Sequence, residues 1–338
     1  MTLSSVASSE LAADGKTPLP AVAIVAVWFG ALPRYFQLWL DSCGFNGGFD
    51  WVVFTDADVS PYAVPANVGI RKMTARAFAE RMGAVLGFPV VLGSPGKVCD
   101  FRPLFWALLS DEARCYAFWG HCDLDMIFGR LERFITRDLL AAHDKIFSVG
   151  HLTLYRNGEP ANQMFRRPHR EVDWRAILAD PRHHGFDEHL GVNRIWRAHG
   201  GRVFEDESLI ADIDPALARF ERAAPGRNHR RQLFYFDRGR VCRGYAQGSQ
   251  WRVEEFMYIH FQKRPMTAMP RPGATRYAIA PGGFFDLPED VAWDDLADTL
   301  NPRSFRWVEM RHRGRCGLRR LRRRLLALPS RLGHTGER

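Results

Sequence analysis

The fold is indicated first by an apolar stretch, Ala21-Val-Ala-Ile-Val-Ala-Val-Trp-Phe29, in which polar and apolar residues do not alternate. A strand that is buried on both faces of a parallel sheet has this pattern. With the next three residues the stretch forms the apolar run Ala21–Leu32, which is far shorter than the ~20 residues that span a bilayer. It therefore predicts a buried strand rather than a membrane span.

Strand and helix patterns alternate along the chain after this first strand. Further strands are predicted over Asp50–Thr55, Val68–Met73, Cys115–Trp119 and Lys145–Tyr155. Helices are predicted over Pro33–Ser42, Thr74–Leu86 (with Thr74 as N-cap), Asp100–Leu109, Phe134–Ala142 and Asp187–His199. This alternation predicts an α/β fold with a mixed, mostly parallel sheet flanked by helices.

The positive charge is concentrated at the C-terminal end. The chain of 338 residues has a formal net charge of +9, and residues 311–338 alone hold ten arginines and one acid. The rest of the chain is balanced in charge. These 28 residues contain no aromatic side chain, which argues against a nucleic-acid partner.

The same tail has a leucine every three or four residues before Pro329, and this spacing predicts a basic amphipathic helix. Such a helix can lie on an anionic membrane surface. The alternative is a tail that is solvated or packs on the body of the protein.

The cysteines and the first residues of the chain indicate where the protein is located. The six cysteines have no Cys-x-x-Cys spacing, so we expect reduced thiols in a cytoplasmic protein. Residues 1–20 have no basic start, so we expect no signal peptide.

Two carboxylates follow the predicted strand Cys115–Trp119, in the segment Gly120-His-Cys-Asp-Leu-Asp125. Two acids this close to a buried strand are costly unless a cation lies between them. Mg²⁺ and Mn²⁺ prefer such oxygen ligands together with substrate phosphates. The alternative is a pair of solvated loop aspartates.

Only five of the 47 basic residues are lysines, and two of them lie in unusual segments. One segment is Lys97-Val-Cys-Asp-Phe-Arg-Pro103, and the other is His260-Phe-Gln-Lys263. Together with Phe118-Trp-Gly-His-Cys-Asp-Leu-Asp-Met-Ile-Phe-Gly129, this order resembles nucleotide-sugar glycosyltransferases of the GT-A fold. The resemblance is to bacterial capsule- and lipopolysaccharide-type transferases and to the DXD sugar-binding group, and it covers roughly Val22 to Pro265.

The resemblance implies a GT-A-like (Rossmann-like) fold and a metal-bridged nucleoside diphosphate sugar, for which we expect a UDP-sugar. The metal, Mn²⁺ or Mg²⁺, would be bound by Asp123, Asp125 and His260. Lys263 would neutralise the leaving diphosphate, as a catalytic residue. The donor would contact Trp28, Phe29, Asp56, Lys97, Asp100, Arg102 and Asp123.

A carboxylate near the reacting sugar would stabilise the transition state or deprotonate the acceptor. The candidates are Asp187 and Glu188. Some of the predicted site residues also have simpler explanations: Asp100 and Asp187 as helix N-caps, His260 as a core histidine, and Trp28 and Phe29 as core aromatics. His183 and His184 lack metal-ligand spacing, and we expect them in a solvated loop.

The predicted organisation is a disordered leader (1–20), a catalytic domain (21–285), an extension (286–310) and the Arg-rich tail (311–338). The expected acceptor is a glycan or a lipid-linked glycan in cell-surface polysaccharide synthesis, with the enzyme peripheral on the inner face of the cytoplasmic membrane. Two other functions compete: a haloacid-dehalogenase-type phosphatase that uses Asp123 and Asp125, and a non-catalytic scaffold at the membrane. The phosphatase class requires Thr or Val where this chain has Ile127.

Overall fold

The computed structural model describes residues 19–223, 226–262 and 264–302. The predicted catalytic residue Lys263 and the predicted amphipathic helix in 311–338 lie outside the described residues. No helix in the described ranges is long and apolar enough to cross a membrane. The chain divides into two compact units between Leu209 and Ile210, and the predicted boundaries at 285 and 310 stay predictions.

The first unit is built on a seven-stranded sheet with the order β3-β2-β1-β4-β7-β6-β8. The strands are β1 (Val22–Trp28), β2 (Asp50–Thr55), β3 (Val68–Lys72), β4 (Phe118–Cys122), β6 (Lys145–Ile146), β7 (Leu152–Arg156) and β8 (Val203–Phe204), with β5 (Met126–Phe128) outside this sheet. All neighbouring strands are parallel except where β7 meets β4 and β6. The predicted α/β class with a mostly parallel sheet is confirmed.

Helices flank this sheet. They are α1 (Phe36–Gly44), α2 (Ala75–Leu86), α3 (Arg137–Ala142), α4 (Glu159–Asn162), α5 (Trp174–Ala179) and α6 (Val192–Ala198). The 3-10 helices are Pro95–Leu108, Ser110–Cys115, Leu131–Arg133, Met164–Arg166 and Glu207–Leu209. Helix α2 begins as predicted, because the Thr74 hydroxyl accepts a hydrogen bond from the Ala77 amide at 3.1 Å. It ends at Gly87, whose φ of 81° is left-handed.

The core of this unit lies between the sheet and the helices. Phe78 of α2 is fully buried and meets Phe101 and Phe105 edge-on, at centroid distances of 5.9 and 6.1 Å. Ala23 and Val25 of β1 belong to the same cluster and are fully buried. The apolar first strand is therefore buried as its lack of alternation predicts.

Several predicted elements differ from the observed ones, and helices α1 and α3 each start three residues later than predicted, at Phe36 and Arg137. Strand β4 starts at Phe118 rather than Cys115 because the chain up to Cys115 is a 3-10 turn, so Asp123 directly follows the strand. Lys145–Tyr155 is two strands because the chain turns at Phe147, where φ is 67°. The helix predicted from Asp100 is a 3-10 helix that starts at Pro95, and the helix predicted from Asp187 starts at Val192.

Gly120 lies on β4 where the neighbouring strand β7 leaves no room for a side chain. A Cβ at this position would lie 2.4 Å from both Leu154 Cδ2 and the Thr153 carbonyl oxygen. We expect Gly120→Ala to lower the free energy of unfolding by about 1–3 kcal/mol, since overpacking forces backbone shifts. Urea unfolding measures this. Gly69→Ala on β3 is the control, because its Cβ would meet only the Trp51 carbonyl oxygen at 3.7 Å, and equal losses in the two variants would contradict the packing argument.

The second unit contains a five-stranded antiparallel sheet with the order β12-β11-β10-β14-β15. Its strands are β10 (Gln232–Asp237), β11 (Arg240–Gln247), β12 (Gln250–Phe256), β14 (Arg276–Ala280) and β15 (Gly283–Asp286). Helix α7 (Trp293–Leu300) packs on this sheet through Ala297, which is buried with Leu233 and Ala278. A separate parallel pair joins β9 (Ala211–Asp212) to β13 (Tyr258–His260). The sequence patterns did not predict the five-stranded antiparallel sheet.

Candidate functional site

The carboxyl ends of β1, β2 and β4 form the edge of the sheet where the sequence analysis places the site. Trp28 at the end of β1 lies beside Thr55 at the end of β2. Asp56, the next residue, accepts a hydrogen bond from the Gly30 amide at 2.8 Å. Ligands of open α/β sheets bind at this edge. Trp28 is half-buried. Phe29 packs edge-on against Phe78, with ring centroids 5.8 Å apart, in agreement with the alternative that Phe29 is a core aromatic.

The two acids after β4 lie together at this edge. Asp125 is buried, and the side chain of Asp123 is 20% exposed. The backbone of Asp123 is held by the Trp39 indole, which donates to its carbonyl oxygen at 3.1 Å. Burial raises the pKa of Tyr35, and the charges of Asp125 and Asp123 raise it further. Both carboxylates therefore lie close enough to Tyr35 to act on the same hydroxyl.

Arg102 connects one of these acids to a more distant carboxylate. Its guanidinium is largely buried and donates to Asp123 Oδ1 on one side and to Asp187 Oδ2 at 2.6 Å on the other. It also donates to the Gly150 carbonyl oxygen at 2.6 Å. This guanidinium holds Asp123 in place at the strand end.

Lys97 and Asp100 form an ion pair at 3.0 Å in which both side chains are fully buried. Lys97 also donates to the Ile177 carbonyl oxygen at 2.7 Å, and Asp100 accepts from the amides of His184 and Phe186, each at 2.9 Å. The N-cap alternative for Asp100 is wrong, since it lies inside the 3-10 helix. The pair secures the loop before Asp187, so its geometry favours a positioning role over the predicted donor contact.

Asp187 and Glu188 are adjacent in sequence but differ in exposure. Asp187 is fully buried, whereas Glu188 is exposed. The N-cap alternative for Asp187 is also wrong, because Gly191 holds that position before α6. Burial raises the pKa of Asp187 to about 7, against the opposing effect of Arg102. Of the two candidates, only Glu188 is exposed to solvent and so accessible to an acceptor.

In the second unit, the pairing of β9 with β13 places His260 opposite Asp212. Asp212 Oδ1 lies 2.8 Å from His260 Nδ1 and accepts from Gln262 Nε2 at 2.7 Å. Metal-ligating histidines commonly have a carboxylate on the other ring nitrogen. The buried His260 has such a carboxylate, and its predicted role as a metal ligand stays a prediction.

Groups that could hold a metal ion are present among the described residues. In the first unit, Asp100, His183 and Asp187 each offer one ligand atom, and these atoms lie within 4.8 Å of one another. His183 is exposed, as expected for a loop. Its closeness to two buried carboxylates was not foreseen from the sequence, because Asp100 is 83 residues away in the chain.

A family model described as a family of unknown function (DUF6625) matches residues 24–288, which is 265 of the 338 residues. The chain belongs to this family. No curated protein matches the chain. The DUF6625 match includes every predicted site residue, from Trp28 to Lys263, and ends before α7 and the Arg-rich tail.

Two buried bases of this DUF6625 chain were missed by the sequence analysis. Lys145 is fully buried, donates to Asn193 Oδ1, and lies 5.2 Å from the ring centre of Tyr155. His121 is fully buried with Nε2 at 3.1 Å from the Gly150 carbonyl oxygen, and burial lowers its pKa. The scarcity of lysine that drew attention to Lys97 applies equally to Lys145 and was the available signal.

Burial lowers the pKa of Lys145 from 10.5 to about 7. Between pH 7 and 10.5 the unfolded chain therefore binds a proton that the folded chain does not, and stability rises with pH over that window. As the pH increases from 7, we expect the free energy of unfolding of the wild type to rise relative to that of the Lys145→Met variant. The difference should grow by at most about 1.4 kcal/mol per pH unit. Urea unfolding at pH 7, 8 and 9 measures the difference. Parallel pH profiles for the two proteins would contradict a neutral buried lysine.

Proposed function

We propose that this DUF6625 protein is a metal-dependent glycosyltransferase with a GT-A-like fold. It transfers a sugar from a nucleoside diphosphate sugar, for which we expect a UDP-sugar, to a glycan or lipid-linked acceptor in cell-surface polysaccharide synthesis. The observation that carries the proposal is the position of Asp123 and Asp125 directly after β4, at the carboxyl edge of parallel strands. Substrates of open α/β sheets bind at this edge.

The residues at this edge fit a hard divalent cation, Mn²⁺ or Mg²⁺. Their donors are carboxylate oxygens, which these ions prefer. Asp125 is buried and Asp123 is held by Arg102, so neither has to be ordered when the ion binds. The ion would offset the charge that develops on the leaving diphosphate. His260 is the predicted third ligand, and Lys263 is predicted to add a second positive charge.

The other site residues have separate roles in the proposal. Trp28 and Asp56 line the sheet edge where a base and ribose would bind. Glu188, exposed beside the buried Asp187, is the proposed base that takes the proton of the acceptor hydroxyl. Asp187 positions Arg102, and Arg102 positions Asp123. The cationic tail 311–338 is proposed to hold the protein at an anionic membrane surface, where lipid-linked acceptors are found.

The test uses the full-length protein and a panel of UDP-, GDP-, CDP- and dTDP-sugars, with and without Mn²⁺. We expect binding by calorimetry and slow Mn²⁺-dependent release of the nucleoside diphosphate for one class of donor. Asp125→Asn should reduce this release by about 10²–10³-fold, the usual loss when a group that stabilises developing charge is removed. Asp58→Asn is the matched control, because Asp58 is an exposed loop acid that bonds only to Ser60 in the described structure.

Two results would overturn the proposal. One is the absence of binding and hydrolysis for every donor in the panel. The other is hydrolysis of an aryl phosphate that is lost in Asp123→Asn, which would instead establish the phosphatase alternative. If Asp125→Asn and Asp58→Asn behave alike, the acids after β4 do not bind the metal.

A further inference from the structure

We propose that Asp100, His183 and Asp187 form a second cation site in the first unit, suited to a transition-metal ion such as Zn²⁺. These three residues come from two separate segments, the 3-10 helix Pro95–Leu108 and the loop before α6. The site uses a different set of ligands from the Asp123 and Asp125 pair. It does not depend on the proposed glycosyl transfer.

The ligand atoms of these three residues are already close together. All lie within 4.8 Å of one another, and His183 Nε2 is 3.8 Å from Asp100 Oδ1. Ligand atoms around a tetrahedral Zn²⁺ lie about 3.3 Å apart. The side chain of His183 is 39% exposed, so rotation of its imidazole can shorten its distances to the two buried carboxylates.

An unsatisfied buried oxygen points independently to a missing ligand. Asp187 Oδ2 accepts a hydrogen bond from Arg102, but Asp187 Oδ1 has no hydrogen-bond partner among the described residues and is shielded from solvent. An unpaired carboxylate oxygen in the interior carries a large desolvation cost. A bound cation would remove that cost.

The charges around the site also favour a cation. Asp100 is neutralised by Lys97, but Arg102 is shared between Asp123 and Asp187. Three carboxylates in these contacts therefore face only two basic side chains. Glu188, the neighbour of Asp187 in the chain, adds a further negative charge. A divalent ion would balance this excess of carboxylates.

The hydrogen bonds of Asp100 fix both of its carboxylate oxygens and place one of them toward His183. Oδ2 accepts from the Lys97 ammonium at 3.0 Å and from the His184 amide at 2.9 Å. Oδ1 accepts from the Phe186 amide at 2.9 Å and from the His184 amide at 3.2 Å, and it is the oxygen nearest to His183. Imidazole nitrogens and carboxylate oxygens are both Zn²⁺ ligands in proteins, and catalytic zinc sites have three protein ligands with the fourth position open.

The experiment titrates Co²⁺ into the metal-free full-length protein that carries Asp125→Asn, so that the predicted Mn²⁺ ligands contribute little. Visible absorption of Co²⁺ reports a four-coordinate site, and displacement by Zn²⁺ gives the Zn²⁺ affinity. His183→Ala and His184→Ala are then compared in this background. They are adjacent, partly exposed histidines of one loop, but only His183 belongs to the ligand group.

We expect one Co²⁺ per chain with a four-coordinate spectrum in the Asp125→Asn protein and in its His184→Ala derivative. In the His183→Ala derivative the Co²⁺ affinity should fall by more than about 100-fold. Removing a group that only orients a metal ligand costs less than this. Equal affinities in the two histidine variants, or the absence of a stoichiometric site, would overturn the proposal. A failure of the donor assay would leave this result unaffected.

Discussion

Replacing Arg102 by methionine is expected to lower the free energy of unfolding by about 3–5 kcal/mol. The guanidinium is largely buried between Asp123 and Asp187, and methionine would fill a similar volume without the charge. Asp187, whose side chain is fully buried, would lose the only basic partner that it has among the described residues. Urea unfolding at pH 8, where Asp187 is ionised in the wild type, measures the loss.

The matched control for this variant is Arg71→Met. Arg71 also forms an ion pair with a carboxylate, Glu112 at 3.1 Å, but both side chains are substantially exposed. Surface pairs contribute about 0–1 kcal/mol, so a small loss is expected. Similar losses in the two variants would show that the burial of Arg102 has no energetic consequence. Arg102→Lys should recover little, because one ammonium cannot reproduce the planar fork that reaches two carboxylates.

The second large effect is expected at the buried pair Lys97–Asp100. Lys97→Met leaves a buried carboxylate without its cation, and Asp100→Asn leaves a buried ammonium without its anion. Each single change should cost about 3–5 kcal/mol. The double variant should cost less than the sum of the two, because it removes both charges. The single amide oxygen of asparagine, in the place of Asp100 Oδ1, still accepts from the Phe186 and His184 amides. Urea unfolding of the four proteins yields a coupling energy, expected at the upper end of the usual 0.5–3 kcal/mol.

An exposed pair provides the reference for this cycle. Arg76 and Glu80 of α2 form an i,i+4 pair at 2.8 Å, and both side chains are mostly exposed. The cycle of Arg76→Met with Glu80→Gln should give a coupling energy of about 0.3–0.5 kcal/mol. If the Lys97–Asp100 singles prove additive, the two charges do not stabilise each other, and the role of the pair in holding the loop at His184 is wrong.

Much of the first unit was predictable because its signals are local. The absence of alternation in Ala21–Phe29 reports burial on both faces, which is a property of a single strand. The start of α2 could be predicted equally well, because Thr74 caps an amide only three residues away. The position of Asp123 and Asp125 at a sheet edge followed from the strand before them. In each case the interaction that decides the structure lies within a few residues of the pattern.

The partners of the buried charges could not be predicted in this way. Arg102 and Asp187 are 85 residues apart, and Lys97 donates to the carbonyl oxygen of a residue 80 positions later. No periodicity links such positions, because an ion pair depends on where two segments meet and not on the residues around either one. The two N-cap alternatives arose from this gap, since a helix cap is an explanation that depends only on nearby residues.

The sequence by itself determined that the first unit is an α/β sheet and that an Asp-x-Asp pair follows one of its buried strands. Only the tertiary structure decided that Arg102 holds one of those acids to Asp187, that Lys97 is an internal cation, and that His183 comes close to two carboxylates. The physical reason is that strands and helices arise from short-range patterns of burial and capping, whereas buried charges are satisfied across the fold.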